Sequence, residues 1–263
     1  MGIEGFMSRQ HRSEVPTAIL GGLPISCIGM QDAARALIET SLNARGRHQR
    51  PFYSTSANGQ VIALAHDDAS FRQSLLKADQ IHADGMPMVL LSRFVSKHPV
   101  PERVATTDLV HAVAEMAERT NVSFYFLGGT PDVNRRAVAN MQRLYPRLRF
   151  AGSRHGYFSR GEEADIVKEI SELKPDILWI GLGVPYEQKF VERNIEKLRG
   201  IGVIKTSGGL FDFLSGKNSR APKWMQNAGL EWLYRTKLES KRLFGRYMKT
   251  NPVALWRLLF FSQ

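Results

Sequence analysis

Apolar positions along this 263-residue chain follow two rhythms, and the change from one to the other organises it. Ser123 to Leu127 (SFYFL) is an unbroken apolar run of strand length that ends at Gly128-Gly129-Thr130-Pro131. Val133, Ala137 and Met141 then fall at helical spacing. The alternation repeats. Leu148 to Ala151 reads as a short strand, and Ala164 to Leu173 as a helix with Ile166, Val167 and Ile170 on one face. Ile177 to Ile180 is a strand closing at Gly181-Leu182-Gly183-Val184-Pro185, followed by a helix through Phe190 and Val191. Val203-Ile204-Lys205 is the last strand and ends at Ser207-Gly208-Gly209. Upstream, Ala18 to Leu20 begins a strand, and Met30-Gln31-Asp32 opens a helix through Ala33, Ala34, Leu37 and Ile38. Phe52 to Ser56 is a strand stopped by Ala57-Asn58-Gly59, Val61 to Ala65 starts a helix, and Ile81-His82-Ala83 runs into Asp84-Gly85.

Strands alternating with helices across short glycine-bearing turns predict a Rossmann-like three-layer α/β domain with a mainly parallel sheet. Beyond Gly216 the rhythm is helical only. Ala221-Pro222 marks a helix start, Leu230, Leu233 and Leu238 follow, and Pro252 is expected to break the run before a last amphipathic turn or two in Ala254 to Phe261. The reading divides the chain into a flexible tail over 1–17, an α/β catalytic domain over 18–212 and a helical appendage over 213–263.

Charge sharpens the view of that appendage. The formal net charge is +11, and most of the excess lies after Phe213. There Lys217, Arg220, Lys223, Arg235, Lys237, Lys241, Arg242, Arg246, Lys249 and Arg257 are opposed only by Glu231 and Glu239. Trp224, Trp232, Tyr234, Phe244, Tyr247, Trp256 and Phe260 are interleaved with them. A segment as aromatic as it is basic favours an anionic membrane surface over nucleic acid. No run approaches the roughly 20 apolar residues that cross a bilayer. The single cysteine, Cys27, excludes an internal disulfide framework and points to a reducing, cytoplasmic compartment.

Ligands of open α/β sheets bind beyond the carboxyl ends of the strands. Three such ends are glycine-rich: Gly128-Gly129, Gly181-Leu182-Gly183 and Gly208-Gly209. Each can be a tight turn or a cradle that brings backbone N–H groups to a diphosphate. The chain has neither GxxxxGK[ST] nor a full GxGxxG, and no HExxH or histidine–carboxylate cluster suggests a metal. Asp84, at a strand end before glycine, is a candidate general base, or simply part of an Asp-Gly turn. Ser56 and Asn58 offer hydrogen bonds to sugar or ribose hydroxyls, or shape the Asn-Gly turn. Arg103 can pair with phosphate or remain solvated. Glu187 and Gln188 open a helix, where a glutamate also serves the dipole. Two other classes stay open: a nucleotide-dependent α/β oxidoreductase, and a non-enzymatic nucleic-acid-binding protein.

Several segments together resemble one family. Ala83-Asp84-Gly85-Met86-Pro87, Arg103 to Leu109, FLGGTP, Ile180 to Lys189, GGLFDFLSGKNSRAP and GLEWLYR are similar, in order, to the WecG/TagA/CpsF glycosyltransferases. The resemblance covers about Ile19 to Arg242. It implies a bacterial inverting enzyme that moves a sugar from a UDP-sugar onto a polyprenyl-diphosphate-linked acceptor for a cell-surface polymer or exopolysaccharide, without a cofactor. By resemblance Asp84 matches the base, Ser56 and Asn58 the Thr-x-Asn pocket residues, and Arg103 a pocket arginine. The appendage would dock peripherally on the inner face of the plasma membrane, bringing Arg235 and Arg242 to the diphosphate. Homo-oligomerisation is left open. Two departures stand out: the family's Pro-x-Gln-Glu appears here as Pro185-Tyr186-Glu187-Gln188, and Ser56 stands in place of the family's threonine, keeping the hydroxyl.

Overall fold

The computed structural model describes residues 15–263 apart from residue 239 and the side chains of residues 238–243. A hairpin of β1 (Thr17–Leu20) and β2 (Leu23–Ser26) leads into α1 (Met30–Ala44), β3 (Phe52–Ala57), α2 (Gly59–Asp67) and α3 (Ala69–Leu76). Then come β4 (Gln80–Ala83), α4 (Met86–Val95), α5 (Thr106–Thr120), β5 (Ser123–Gly128), α6 (Pro131–Leu144) and β6 (Arg149–Arg154). α7 (Glu163–Leu173), β7 (Ile177–Gly181), α8 (Tyr186–Asn194) and β8 (Val203–Thr206) complete the alternation. The described chain finishes in α9 (Leu210–Leu214), α10 (Lys223–Asn227), α11 (Glu231–Leu238) and α12 (Ser240–Phe260).

Six strands form one sheet in the order β4-β3-β8-β7-β5-β6, every neighbouring pair parallel. Both faces are covered, which explains the continuous apolar runs. On one face Phe124, Phe126, Ile177 and Trp179 pack against α1, α5, α6 and α9. Their alternate neighbours Tyr125, Leu127, Leu178 and Ile180 pack against α7 and α8. The β1–β2 hairpin sits apart and closes a third cluster with α2, α3 and α4. The chain steps outward from β3 to β4, jumps to β5, and fills the gap later with β7 and β8. This reversal opens a crevice at the carboxyl ends of β3 and β8.

Of the expected tail over 1–17, residues 1–14 lie outside the described residues and Thr17 belongs to β1. The helical segment after residue 213 lies on the body, and its last part is held there at two places. Ala254 and Leu258 of α12 are buried in the cluster that contains α2 and α4. The last residues then run along the hairpin: Ile19 N–H donates to Gln263 O (3.0 Å) and Gln263 N–H to Ile19 O (2.8 Å). Pro252 does not break the run as expected; α12 passes through it. An internal proline costs a helix about 3 kcal/mol, and packing on both sides of it offsets that. Ala254 approaches the Gly59 backbone so closely that a Cβ there would lie 3.4 Å from it.

Two glycines at the crevice show the difference between packing and ligand access. Gly128 has φ +150°, and a Cβ on it would lie 2.3 Å from Gly181 O, so its bare backbone lets β5 and β7 close up beneath Phe211. Gly183 has φ +81° with open space around it. We therefore expect Gly128→Ala to cost about 3 kcal/mol or more, from overpacking plus strain. Gly183→Ala should cost about 1–2 kcal/mol, from strain alone. Urea denaturation of the two variants measures both.

Candidate active site

The Asp84 N–H donates to Ala57 O (2.8 Å), which sets the residue after β4 beside Asn58, the residue after β3. Two clefts meet here. One, of about 350 Å³, is lined by Asp84, Arg103 and Thr107 on its polar side and by Met86, Trp232, Leu255 and Leu258 on its apolar side. The other, of about 830 Å³, runs along the glycine-bearing strand ends and is lined by Gly129, Gly181, Gly183, Gly208 and Gly209. Asn58, Gln60, Arg235 and Arg246 border both.

Asp84 is half-buried and its carboxyl is pushed up to about 6, chiefly by burial. Arg103, Lys205 and the Thr106 amide pull it down, while Glu231 pushes it up. A carboxylate tuned toward neutrality on the wall of the first cleft, beside a residue that borders both, can take a proton from a hydroxyl. Arg103 donates to Glu231 (2.8 Å), which also accepts from Arg220 Nε (2.9 Å). Arg220 in turn holds Asp108 and Thr107 at the start of α5. Through this chain of charges α11 is fastened over the first cleft. The Arg235 guanidinium lies 5.4 Å from the Phe213 ring centroid, and its Nε has no hydrogen-bond partner among the described residues.

The other sequence candidates divide. Asn58 lines both clefts, but its Oδ1 caps α2 by accepting from Val61 N–H (3.1 Å). Ser56 lines neither cleft; its hydroxyl accepts from Lys205 Nζ (2.7 Å) and meets Thr106 Oγ1 (3.1 Å). Gly128 is buried. Glu187 and Gln188 are turned inward: Glu187 accepts the Gly208 N–H with both oxygens (2.9 and 3.1 Å), and Gln188 Nε2 donates to Glu187 (3.2 Å). The Gly208 amide is therefore already engaged. Burial pushes Glu187 up to about 7. His82 bonds Gln80 (2.8 Å) and Ser54 (3.3 Å) instead of Asp84, and burial holds its ring neutral. The Arg242 side chain lies outside the described residues. Among those residues no group of three or more His, Cys, Asp or Glu could hold a metal ion. Sequence reasoning missed Lys205, Arg220 and Glu231. A lysine in a buried strand was the one visible signal.

A model of the glycosyl transferase WecG/TagA/CpsF family matches residues 18–262, nearly the whole described chain. The chain belongs to that family. It is thus a WecG/TagA/CpsF glycosyltransferase, and the oxidoreductase and nucleic-acid readings give way. Relatives in Staphylococcus aureus strains MRSA252 and COL are named N-acetylglucosaminyldiphosphoundecaprenol N-acetyl-beta-D-mannosaminyltransferase. Each is 28% identical over 209 residues, covering 78% of this chain and 79% of the relative.

The raised Asp84 carboxyl carries a stability consequence for this WecG/TagA/CpsF enzyme. Its ionisation cost is absent below the ordinary value of 3.8 and full above about 6. Asp84→Asn should stabilise the fold by about 1–3 kcal/mol above pH 6, with the gain shrinking as pH falls toward 4. Urea unfolding at several pH values checks it.

Proposed function

We propose that this glycosyltransferase moves a sugar from a UDP-sugar to a polyprenyl-diphosphate-linked acceptor by single displacement with inversion. The observation that carries the reading is the position of Asp84 in the first cleft, next to Asn58, which borders both clefts. The glycine-lined cleft suits a nucleotide diphosphate. The first cleft, cationic at one end and apolar along its wall, suits an amphiphile with a diphosphate head. The names of the staphylococcal relatives, which specify such an acceptor, support this. Asp84 takes the proton of an acceptor hydroxyl; that oxygen bonds to the anomeric carbon, and the carbon–phosphate-oxygen bond breaks with its electron pair leaving on UDP. Arg235, bordering both clefts, stabilises the departing diphosphate, an electrostatic contribution of the kind that dominates such steps. Arg242 is proposed to assist.

The enzyme works at the inner face of the bacterial plasma membrane, held peripherally. No described helix is long and apolar enough to cross a membrane. α12 instead exposes Phe244, Met248, Leu255 and Leu259, which share one helical face. These enter the interface while the exposed Lys249 meets anionic headgroups at about 1 kcal/mol.

With purified enzyme, UDP-N-acetylmannosamine and N-acetylglucosaminyldiphosphoundecaprenol as a first pair, Asp84→Asn should lower turnover by ~10²–10⁴. The parent's kcat/KM should fall about tenfold per pH unit below about 6, where Asp84 takes up its proton. Turnover of Asp84→Asn within threefold of the parent removes Asp84 from this role. For the surface, Phe244→Ser with Leu259→Ser should cut co-sedimentation with anionic vesicles at least fivefold while the urea midpoint stays put. Unchanged binding refutes the docking face.

A further inference from the structure

Lys205 sits at the centre of the sheet with 0% of its surface exposed. It lies on β8 between Ser54 of β3 and Trp179 of β7 in register. Buried lysines are almost always paired with a carboxylate, yet no carboxylate among the described residues lies within ion-pair distance of this one. Its hydrogen bond goes to Ser56 Oγ (2.7 Å). Ser56 Oγ meets Thr106 Oγ1 (3.1 Å), and the segment that leads to Thr106 is tied to the residue before Asp84, the Val104 N–H donating to Ala83 O (2.9 Å). A chain of contacts therefore links the amine to the segment beside the candidate base.

We propose that Lys205 is a positioning residue for the base: it anchors the Ser56–Thr106 pair at the segment beside Asp84 and supplies Asp84 with a buried positive neighbour in place of a salt bridge. The proposal rests on the reading of Asp84 as the base. Because the amine donates to Ser56, the serine proton is directed away from it, toward Thr106, so the hydroxyl pair has one favoured orientation. The charges facing Asp84 are Arg103, Glu231 and Lys205; those acting on Lys205 are Asp84 and Glu187, with the neutral His82 on β4 nearby. Burial lowers Lys205 to about 7, against the pull of the two carboxylates. Between about 6 and about 7, Asp84 and Lys205 are both charged. The same arrangement gives Ser56 a purpose other than a sugar contact, since its hydroxyl is engaged by both Lys205 and Thr106.

The test uses the full chain with Lys205→Met, which keeps the length and removes the amine. A lysine that served packing alone would leave the pH behaviour of Asp84 untouched. Two readouts separate this proposal from the base reading. In the first, the pH at which the stabilisation by Asp84→Asn levels off is measured by urea unfolding, in the parent and in the Lys205→Met background; this upper limit follows the folded-state Asp84, whereas the onset near 3.8 belongs to the unfolded chain. This readout needs no substrate, and a rise of about one pH unit is expected when the positive neighbour is lost. In the second, the pH profile of transfer is measured with the UDP-N-acetylmannosamine pair. The acid limb of Lys205→Met should rise by the same amount and kcat should fall about tenfold on the plateau, with the donor KM within twofold of the parent. An unmoved levelling-off pH overturns the proposal whatever the activity shows. An acid limb that persists in Asp84→Asn removes the base reading, and the catalytic part of the proposal falls with it. Should Lys205→Met fail to fold, Ser56→Ala decides: it interrupts the chain of contacts while leaving the amine, and an unchanged kcat overturns the proposal.

Discussion

The architecture of the site depends on one carboxylate held between two guanidinium groups. Glu231 begins α11; Arg103 reaches it from the distant segment before α5, and Arg220 from the nearby stretch between α9 and α10. All three side chains are largely shielded, so their attraction is poorly screened, and losing one partner would strand the others. The clasp turns a flat strand-end crevice into a walled one. Without it, Trp232 and Arg235 on α11 would lose their firmest tie to the segment beside Asp84, and the apolar side of the cleft would lose its Trp232 part.

Beneath the clasp, the sheet carries more charge than its apolar faces suggest. Asp84, Lys205 and Glu187 are displaced toward neutrality from opposite directions, each mainly by burial. Such groups weaken the fold, and a site that keeps them gains proton affinities close to the working pH. Glu187 also closes the turn after β8, so the departure from the family's usual Gln-Glu order falls at a structural joint. The backbone amide it holds, that of Gly208, belongs to the wall of the larger cleft.

Much of the fold was legible because burial on both faces of a parallel sheet leaves a strong signature. SFYFL and ILWI could be nothing but strands of this kind, and the glycines at their ends marked the crevice. Asp84 was visible as an Asp-Gly pair at a strand end. The clasp was not, because Asp108, Arg220 and Glu231 look like ordinary surface charges until the fold brings them together across more than a hundred residues. Ser56 has the right chemistry for a ligand contact, but which way a strand-end hydroxyl turns depends on its neighbour across the sheet, Lys205. Pro252 misled for a related reason: propensity is local, whereas the packing of Ala254 and Leu258 against α2 and α4 is not.

The pairing of Gln263 with Ile19 has a further consequence for how the fold assembles. The two residues lie nearly the whole length of the described chain apart, so their contact carries one of the largest loop-closure costs in the molecule. Neighbouring strands and helices of the sheet close far shorter loops and can form without it. Folding should therefore complete the sheet that carries Asp84 before α12 is seated against α2 and the wall it gives the first cleft is finished.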